Sequence, residues 1–213
     1  LGRPGEEISV VPCGVDPAFL PSDASAAEPG PIPPERLQPA SGTAMDRVAA
    51  LLGAPENVGV GDEPLAKWTD AFRFPQGAEA WECHREWVTR TKPVFGPAVG
   101  PRIAWAATVA SADVARARAR REEITRRMDD LLRDNAVLAL PSAPGIALPR
   151  NSAPAVVDEL RARALPMLCI AGLARLPQVS LPLATVDGCP LGLSLIAARG
   201  NDTLLLSLAK KLM

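Results

Sequence analysis

Serine hydroxyls, one imidazole and a few thiols are the side chains of this chain that could attack or hold a reacting group. A serine hydroxyl is a weak nucleophile until a neighbouring base takes its proton, and the resulting oxyanion needs N–H donors directed at it. Ser180 and Ser194 lie in segments with a strand pattern, and no motif supplies a base for either. Strand packing is therefore the favoured interpretation of both serines.

His84 is the one histidine of the chain and could in principle act as a general base. It follows Trp81 and precedes Trp87 by three residues, a spacing that places all three side chains on one side of a helix. This spacing favours a hydrogen-bonded histidine in a buried, aromatic face. We therefore expect His84 and both tryptophans to lie in the core.

The cysteines indicate free thiols rather than disulfides or a metal site. They are far apart, and none forms a Cys-x-x-Cys pair in a chain too large to need stapling. One histidine and dispersed cysteines give no zinc-ligand spacing, and the glycines form no phosphate-binding loop. We expect no metal, no cofactor and a reducing, cytoplasmic location for the four cysteines: Cys13, Cys83, Cys169 and Cys189.

Composition and charge exclude two classes of partner. With 213 residues, 47% of them hydrophobic, the chain can bury a sizeable core. A formal net charge of -1 leaves no cationic excess for a phosphate backbone or an anionic membrane surface. The longest nearly apolar stretch, 165–174, is too short to span a bilayer. We expect neither nucleic acid nor a membrane as partner.

Punctuation by proline and glycine divides the chain into two parts. Residues 1–42 are dense in proline and glycine without periodicity, which predicts a loop or linker. Residues 43–213 carry the patterns of folded elements. The first is a short helix over Thr43–Leu52, with apolar residues at helical spacing and Gly53 as its stop.

Three further helices are predicted between the loops. The helix that starts after Pro75 carries the aromatic face described above, extended by Ala80 and Val88. A longer helix over Ala112–Asp134 has Ser111 as candidate N-cap and an Arg-rich side that faces water. The last helix covers Asp202–Leu212. The apolar stripe of the long helix consists of Val114, Ala117, Ile124, Met128 and Leu131.

Strand patterns complete an α/β fold in which a mixed β-sheet is flanked by helices. The apolar run Ala136–Leu140 predicts a buried strand. Two further runs, "QVSLPLA" and "PLGLSLI", are separated by Asp187-Gly188, a favoured hairpin turn. Pro182 cannot donate a hydrogen bond within a sheet, so its strand must lie at an edge or contain a bulge.

The segment "CIAGLARLPQVSLPLATVDGCPLGLSLIAARGNDTLLLSLA" strongly resembles the C-terminal segment of amidase signature hydrolases. The likeness extends upstream through "FRFPQGAEAWECHREW", "FGPAVGPRIAWA", the Arg-rich helix and "LALPSAPG", in the order the family has them. It covers about residues 43–213 and is similar to members that hydrolyse small aryl or alkyl amides. The resemblance thus implies the C-terminal half of an amidase signature fold.

The family cleaves carboxamides with a serine nucleophile, a bridging serine held by a cis peptide, and a lysine base. Its serines lie in a Gly/Ser-rich loop, whereas this sequence has neither a Gly-Gly nor a Ser-Ser dipeptide and none of its four lysines has the family's setting. We therefore assign no catalytic residue to this chain. By the resemblance, Cys169, Ile170 and Gly172 approach the acyl side of the substrate pocket, although Cys169 also suits a small packing residue. Arg175 stands where many relatives have glycine, which predicts an altered turn before Pro177.

Two functional hypotheses remain open. In the first, the chain is the C-terminal part of an amidase, which binds a small amide substrate and is active only with the missing N-terminal half. In the second, it is a noncatalytic remnant of the fold that binds a protein partner or self-associates as a homo-oligomer through an uncovered apolar surface. The reading frame upstream of Leu1 discriminates between them.

Overall fold

The computed structural model of the chain describes residues 10–12, 44–56, 58–61 and 64–213. Its centre is a four-stranded sheet in the order β1-β2-β4-β3. β1 runs parallel to β2, whereas β2–β4 and β4–β3 are antiparallel, so the predicted mixed sheet is confirmed. The strands are β1 (Val10–Pro12), β2 (Val137–Pro141), β3 (Gln178–Val186) and β4 (Cys189–Ala197).

Helices cover both faces of this sheet, because alternate residues of the inner strands are apolar on both sides. Leu138, Leu140 and Ile196 face one core, shared with α2, α4 and α5. Val137 and Leu195 face the other, shared with α1 and α6. The helices are α1 (44–52), α2 (Trp68–Thr91), α3 (Gly100–Ala106), α4 (Ser111–Leu131), α5 (Pro154–Ala174) and α6 (Asp202–Leu212).

Helix α4 follows its predicted stripe with small shifts at both ends. Ala117, Ile124 and Met128 are buried along it. The predicted cap is one residue off, since Ser111 is the first helical residue and Ala110 occupies the cap without a side-chain hydrogen bond. The helix ends at Leu131, and a separate 3-10 turn over Arg133–Asn135 leads into β2.

Helix α2 differs most from its prediction. It begins at Trp68 and continues through Pro75, whereas the sequence pattern starts a helix only after that proline. Its buried residues, from Trp68 to Gly77, all lie in this inner half, 68–77. The outer half, 78–91, carries the face that was expected to be buried, and this expectation was wrong. There His84 and Trp87 are exposed, because the helix extends past the elements that cover its inner half.

The β3–β4 hairpin confirms the strand predictions. Asp187 and Gly188 both adopt positive φ, 49° and 76°, as a tight hairpin turn between twisted strands requires. β3 is the outermost strand at its side of the described sheet, and its register shifts between Leu181 and Ala184. Pro182 therefore lies both on an edge strand and within a bulge.

Of the segment 1–42, which was predicted as loop or linker, the structure describes only Val10–Pro12. These three residues form β1 and pair with β2 from Val137 to Ala139, so this short part is a strand rather than a loop. The remainder of the segment lies outside the described residues.

Candidate functional site

The last turns of α5 hold the three residues assigned to the substrate pocket. Cys169 and Ile170 are buried in the core shared with α2 and α4, whereas Gly172 is exposed. A Cβ built on Gly172 would lie 3.9 Å from the Phe72 ring of α2. Of the three, Gly172 is the residue whose backbone a ligand outside the described chain could approach. The pocket assignment itself stays a prediction.

Cationic side chains from two other elements fix this end of α5. Arg121 of α4 donates from Nε to the carbonyl of Leu173 at 2.8 Å and from Nη2 to that of Gly172 at 3.0 Å. Arg199, after β4, donates to the carbonyl of Ala174 at 3.1 Å. The last carbonyls of a helix lack partners within it and carry partial negative charge, so these guanidinium groups stabilise the helix end.

Arg175 ends α5 in the left-handed conformation, with φ 57° and ψ 42°. Glycine adopts this conformation most easily, so the turn keeps the geometry glycine would give it despite the larger side chain. The Arg175 guanidinium donates to Glu122 of α4 at 2.8 Å. That hydrogen bond, together with the positive charge, lowers the pKa of Glu122. The pair is exposed and adds a second link between α4 and the end of α5.

The Cys169 thiol is electrostatically unsuited to act as a nucleophile. Burial raises its pKa to about 12, because a thiolate in this apolar core would lose its hydration. Its sulfur hydrogen donates to the carbonyl of Pro166 at 3.3 Å. The thiol therefore remains protonated at neutral pH, as a packing residue would. Cys83, by contrast, is exposed; Cys13 lies outside the described residues.

Three serines and a glutamine form a polar cluster on the sheet, which we call the serine relay: Ser142, Ser180, Ser194 and Gln178. The Ser194 hydroxyl lies 2.8 Å from those of both Ser142 and Ser180 and accepts a hydrogen bond from Gln178 Nε2 at 3.0 Å. Ser180 and Ser194 occupy strands, as predicted, and are cross-strand partners. Their alternation in "QVSLP" and "GLSLI" could have indicated a shared face, but no local signal identifies Ser142, which joins the cluster through pairing with β4.

The outer half of α2 brings aromatic groups together at the surface instead of in the core. His84 contacts the edge of Trp87 with ring centroids 6.5 Å apart, and Trp87 contacts Phe95 at 6.0 Å. The prediction of a core histidine was therefore wrong. With Val94 and Val99, both exposed, Trp87 and Phe95 form what we call the outer patch.

Two other classes of site were searched for in the described ranges. No group of three or more His, Cys, Asp or Glu side chains there could hold a metal ion. Nor does any helix in that part of the chain combine the length and apolar character needed to cross a membrane.

Comparison with known families decides what the fold belongs to. The family model for Amidase matches residues 69–206, from the start of α2 into α6. The chain belongs to the Amidase family. The family resemblance seen in the sequence is thereby confirmed.

Curated relatives share this region with amidases and with chloroplast proteins. Amidase 1 of Arabidopsis thaliana is 33% identical over 148 residues, which is 70% of this chain and 35% of that protein. A pea (Pisum sativum) protein named Translocon at the outer membrane of chloroplasts 64 is 30% identical over 127 residues, which is 60% of this chain and 21% of that protein. The chain thus spans about a third or less of the relatives' length.

Solved structures share the fold. One described as a crystal structure of amidase superposes with a TM-score of 0.72 at 21% identity, covering 97% of this chain and 45% of that one. At this identity the likeness concerns the fold alone. An α/β architecture resembling part of the amidase signature fold is therefore confirmed.

Proposed function

We propose that this chain is the C-terminal part of an amidase-like hydrolase that cleaves carboxamide C–N bonds. The products would be a carboxylate and ammonia or an amine, released from small aryl or alkyl amides. The observation that carries the proposal is the family match over 69–206 in a chain that spans 35% of Amidase 1. The first part of such an enzyme would supply the serine pair and the lysine.

In this proposal the described residues position the substrate rather than attack it. The end of α5, held by Arg121 and Arg199, would form the acyl side of the pocket, where Gly172 exposes its backbone. Cys169 and Ile170 would support that wall from within the core. The chain alone would be inactive, because covalent catalysis requires an activated nucleophile.

The test begins with the coding sequence upstream of Leu1. If it continues into a Gly/Ser-rich serine loop and a lysine, the complete reading frame is expressed and assayed for ammonia release from a panel of aryl and alkyl amides. Turnover by the complete protein, with none above background by the 213-residue chain, supports the proposal. An upstream frame without these groups, or a complete protein without turnover on any amide, contradicts it.

A second candidate function is a noncatalytic module that binds a protein partner or a second copy of itself. The outer patch favours it, because Val94 is fully exposed and Trp87 is 45% exposed in a region where apolar groups gain from being covered. A cytoplasmic location remains a prediction under either function. Measuring the solution mass of the purified chain and of Trp87→Ser tests self-association: a dimer that Trp87→Ser dissociates supports it, and a monomeric parent chain contradicts it.

A further inference from the structure

The serine relay lies where the sheet leaves the helical layer. Ser194 pairs with Leu140 on one side, which belongs to the core, and with Ser180 on the other, which is exposed. Ser142 follows the carboxyl end of β2, and its backbone N–H donates to Gly192 at 2.8 Å. Outside the carboxyl ends of strands is where α/β folds commonly bind ligands.

Glycine at position 192 makes room for the relay. A Cβ built there would lie 2.6 Å from the Ser142 hydroxyl oxygen and 2.9 Å from its Cβ. Both distances are too short for real atoms, so any larger residue would displace Ser142 from Ser194. The arrangement of the hydroxyls therefore depends on this glycine.

The protons of the relay can be counted. A serine hydroxyl has one donor and two acceptor sites, and the nitrogen of Gln178 can only donate. Ser194 is fully buried and has three partners, so it accepts from Gln178, accepts from one serine and donates to the other. Any other assignment would place two lone pairs against each other at 2.8 Å, the separation of each serine pair.

This count fixes what Ser142 and Ser180 present outward. The serine that donates to Ser194 has only lone pairs left, and the serine that accepts from Ser194 keeps its O–H for another partner. The pair therefore offers one acceptor and one donor, in either order. Gln178, which is exposed, adds a second N–H and a carbonyl oxygen.

We propose that the serine relay binds the neutral amide group of a ligand through Ser142 and Ser180. An amide supplies one N–H and one carbonyl oxygen and so satisfies both outward positions. A carboxylate has acceptors only and would face the lone pairs of one serine, so the relay prefers amide over acid. The choice of an amide as ligand rests on the proposed function, and the preference would help release the carboxylate product.

The test is an NMR titration of the 213-residue chain with benzamide, and with benzoate as the matched acid. Benzamide is expected to shift the backbone signals of Ser142, Ser180 and Gln178 in a saturable way, and benzoate to bind more weakly. Ser180→Ala, at the exposed end of the relay, should weaken benzamide binding by about three- to tenfold, the effect of one hydrogen bond. Ser111→Ala, an exposed serine on α4, is the control and should leave the affinity unchanged.

Three results would overturn the inference: no saturable shift at these residues, equal or tighter binding of benzoate, or unchanged binding in Ser180→Ala. A Ser180→Ala chain with an altered fold, seen as signal changes far from β3, is replaced by Ser142→Ala with the same expected loss. Failure of the proposed function is a separate result. It appears as absent turnover in the complete protein, whether or not the isolated chain binds benzamide.

Discussion

Trp68 and Trp87 lie on the same helix and in opposite environments. Trp68 is 1% exposed and belongs to the core shared with α4 and α5, whereas Trp87 is 45% exposed. Both are large apolar residues, and each lies in a segment with helical propensity. The difference teaches that helical spacing identifies a common face, while burial depends on which other elements reach that face.

The inner half of α2 is covered in part by a short helix. Trp105 of α3 packs against Phe74, with ring centroids 5.8 Å apart, and the Arg73 guanidinium lies 4.9 Å from the same indole. Gly77 allows this approach, since a Cβ there would lie 2.5 Å from the Trp105 ring. Beyond Gly77 the described helix has exposed residues on most sides.

The largest expected effect is that of Trp68→Ala. Removal of a fully buried indole leaves a cavity and should lower the free energy of unfolding by about 3–5 kcal/mol. Urea denaturation followed by circular dichroism measures the change, and Trp68→Phe, which keeps an aromatic ring, should cost less. A loss below about 1 kcal/mol would show that the inner half is not the anchored part of α2.

Gly77→Ala should destabilise the chain by overpacking the contact with Trp105. Overpacking costs about 1–3 kcal/mol, partly offset by the gain of about 1 kcal/mol for alanine over glycine in a helix. Gly172→Ala in α5 is the matched control, because its Cβ would meet the Phe72 ring at an ordinary 3.9 Å. We expect Gly172→Ala to be neutral or stabilising. Equal thermal midpoints for both variants would contradict the close approach of α3 to α2.

The two thiols extend the comparison to pH. Cys169 shares the core with Trp68, and its pKa is raised from 9.0 to about 12, so the stability it contributes is complete below pH of about 9. As the pH rises from about 9 towards about 12, the unfolded thiol ionises first and the free energy of unfolding falls. Cys169→Ala should remove this dependence, and Cys83→Ala, at an exposed thiol, should not. Identical alkaline profiles for all three proteins would refute the burial of Cys169.

Trp87→Ala should have the smallest effect on stability, within about 0.5 kcal/mol, as for other exposed sites. Its effect should instead be seen in fluorescence, because acrylamide reaches exposed indoles most readily. The variant should lose the most quenchable part of the emission, whereas Trp68→Phe should retain it. A loss of stability similar to that of Trp68→Ala would mean that something covers the outer patch in solution.

The sequence predicted most of the elements and less of the surroundings. Strand alternation identified β3 and β4, Asp187-Gly188 identified their turn, and the apolar run before Pro141 identified β2, because these signals are local. The start of α2 was missed because Pro75 normally disfavours a helix interior, whereas packing of Trp68 and its neighbours compensates for that cost.

The candidate site was only partly predictable. Cys169, Ile170 and Gly172 came from the family resemblance, and the structure adds their burial and the cations that hold them. The meeting of Ser142 with Ser194 depends on the pairing of strands 52 residues apart in sequence, which no window along the chain reveals.

The bulge at Pro182 also bears on how the purified chain behaves at high concentration. A strand at the edge of a sheet exposes N–H and C=O groups to which another chain can add, and this is a common route to aggregation. β3 is such an edge in the described sheet, yet Pro182 offers no N–H and the register shift between Leu181 and Ala184 interrupts its straight row of groups. The proline therefore protects the chain from adding further copies of itself, strand upon strand, into fibres.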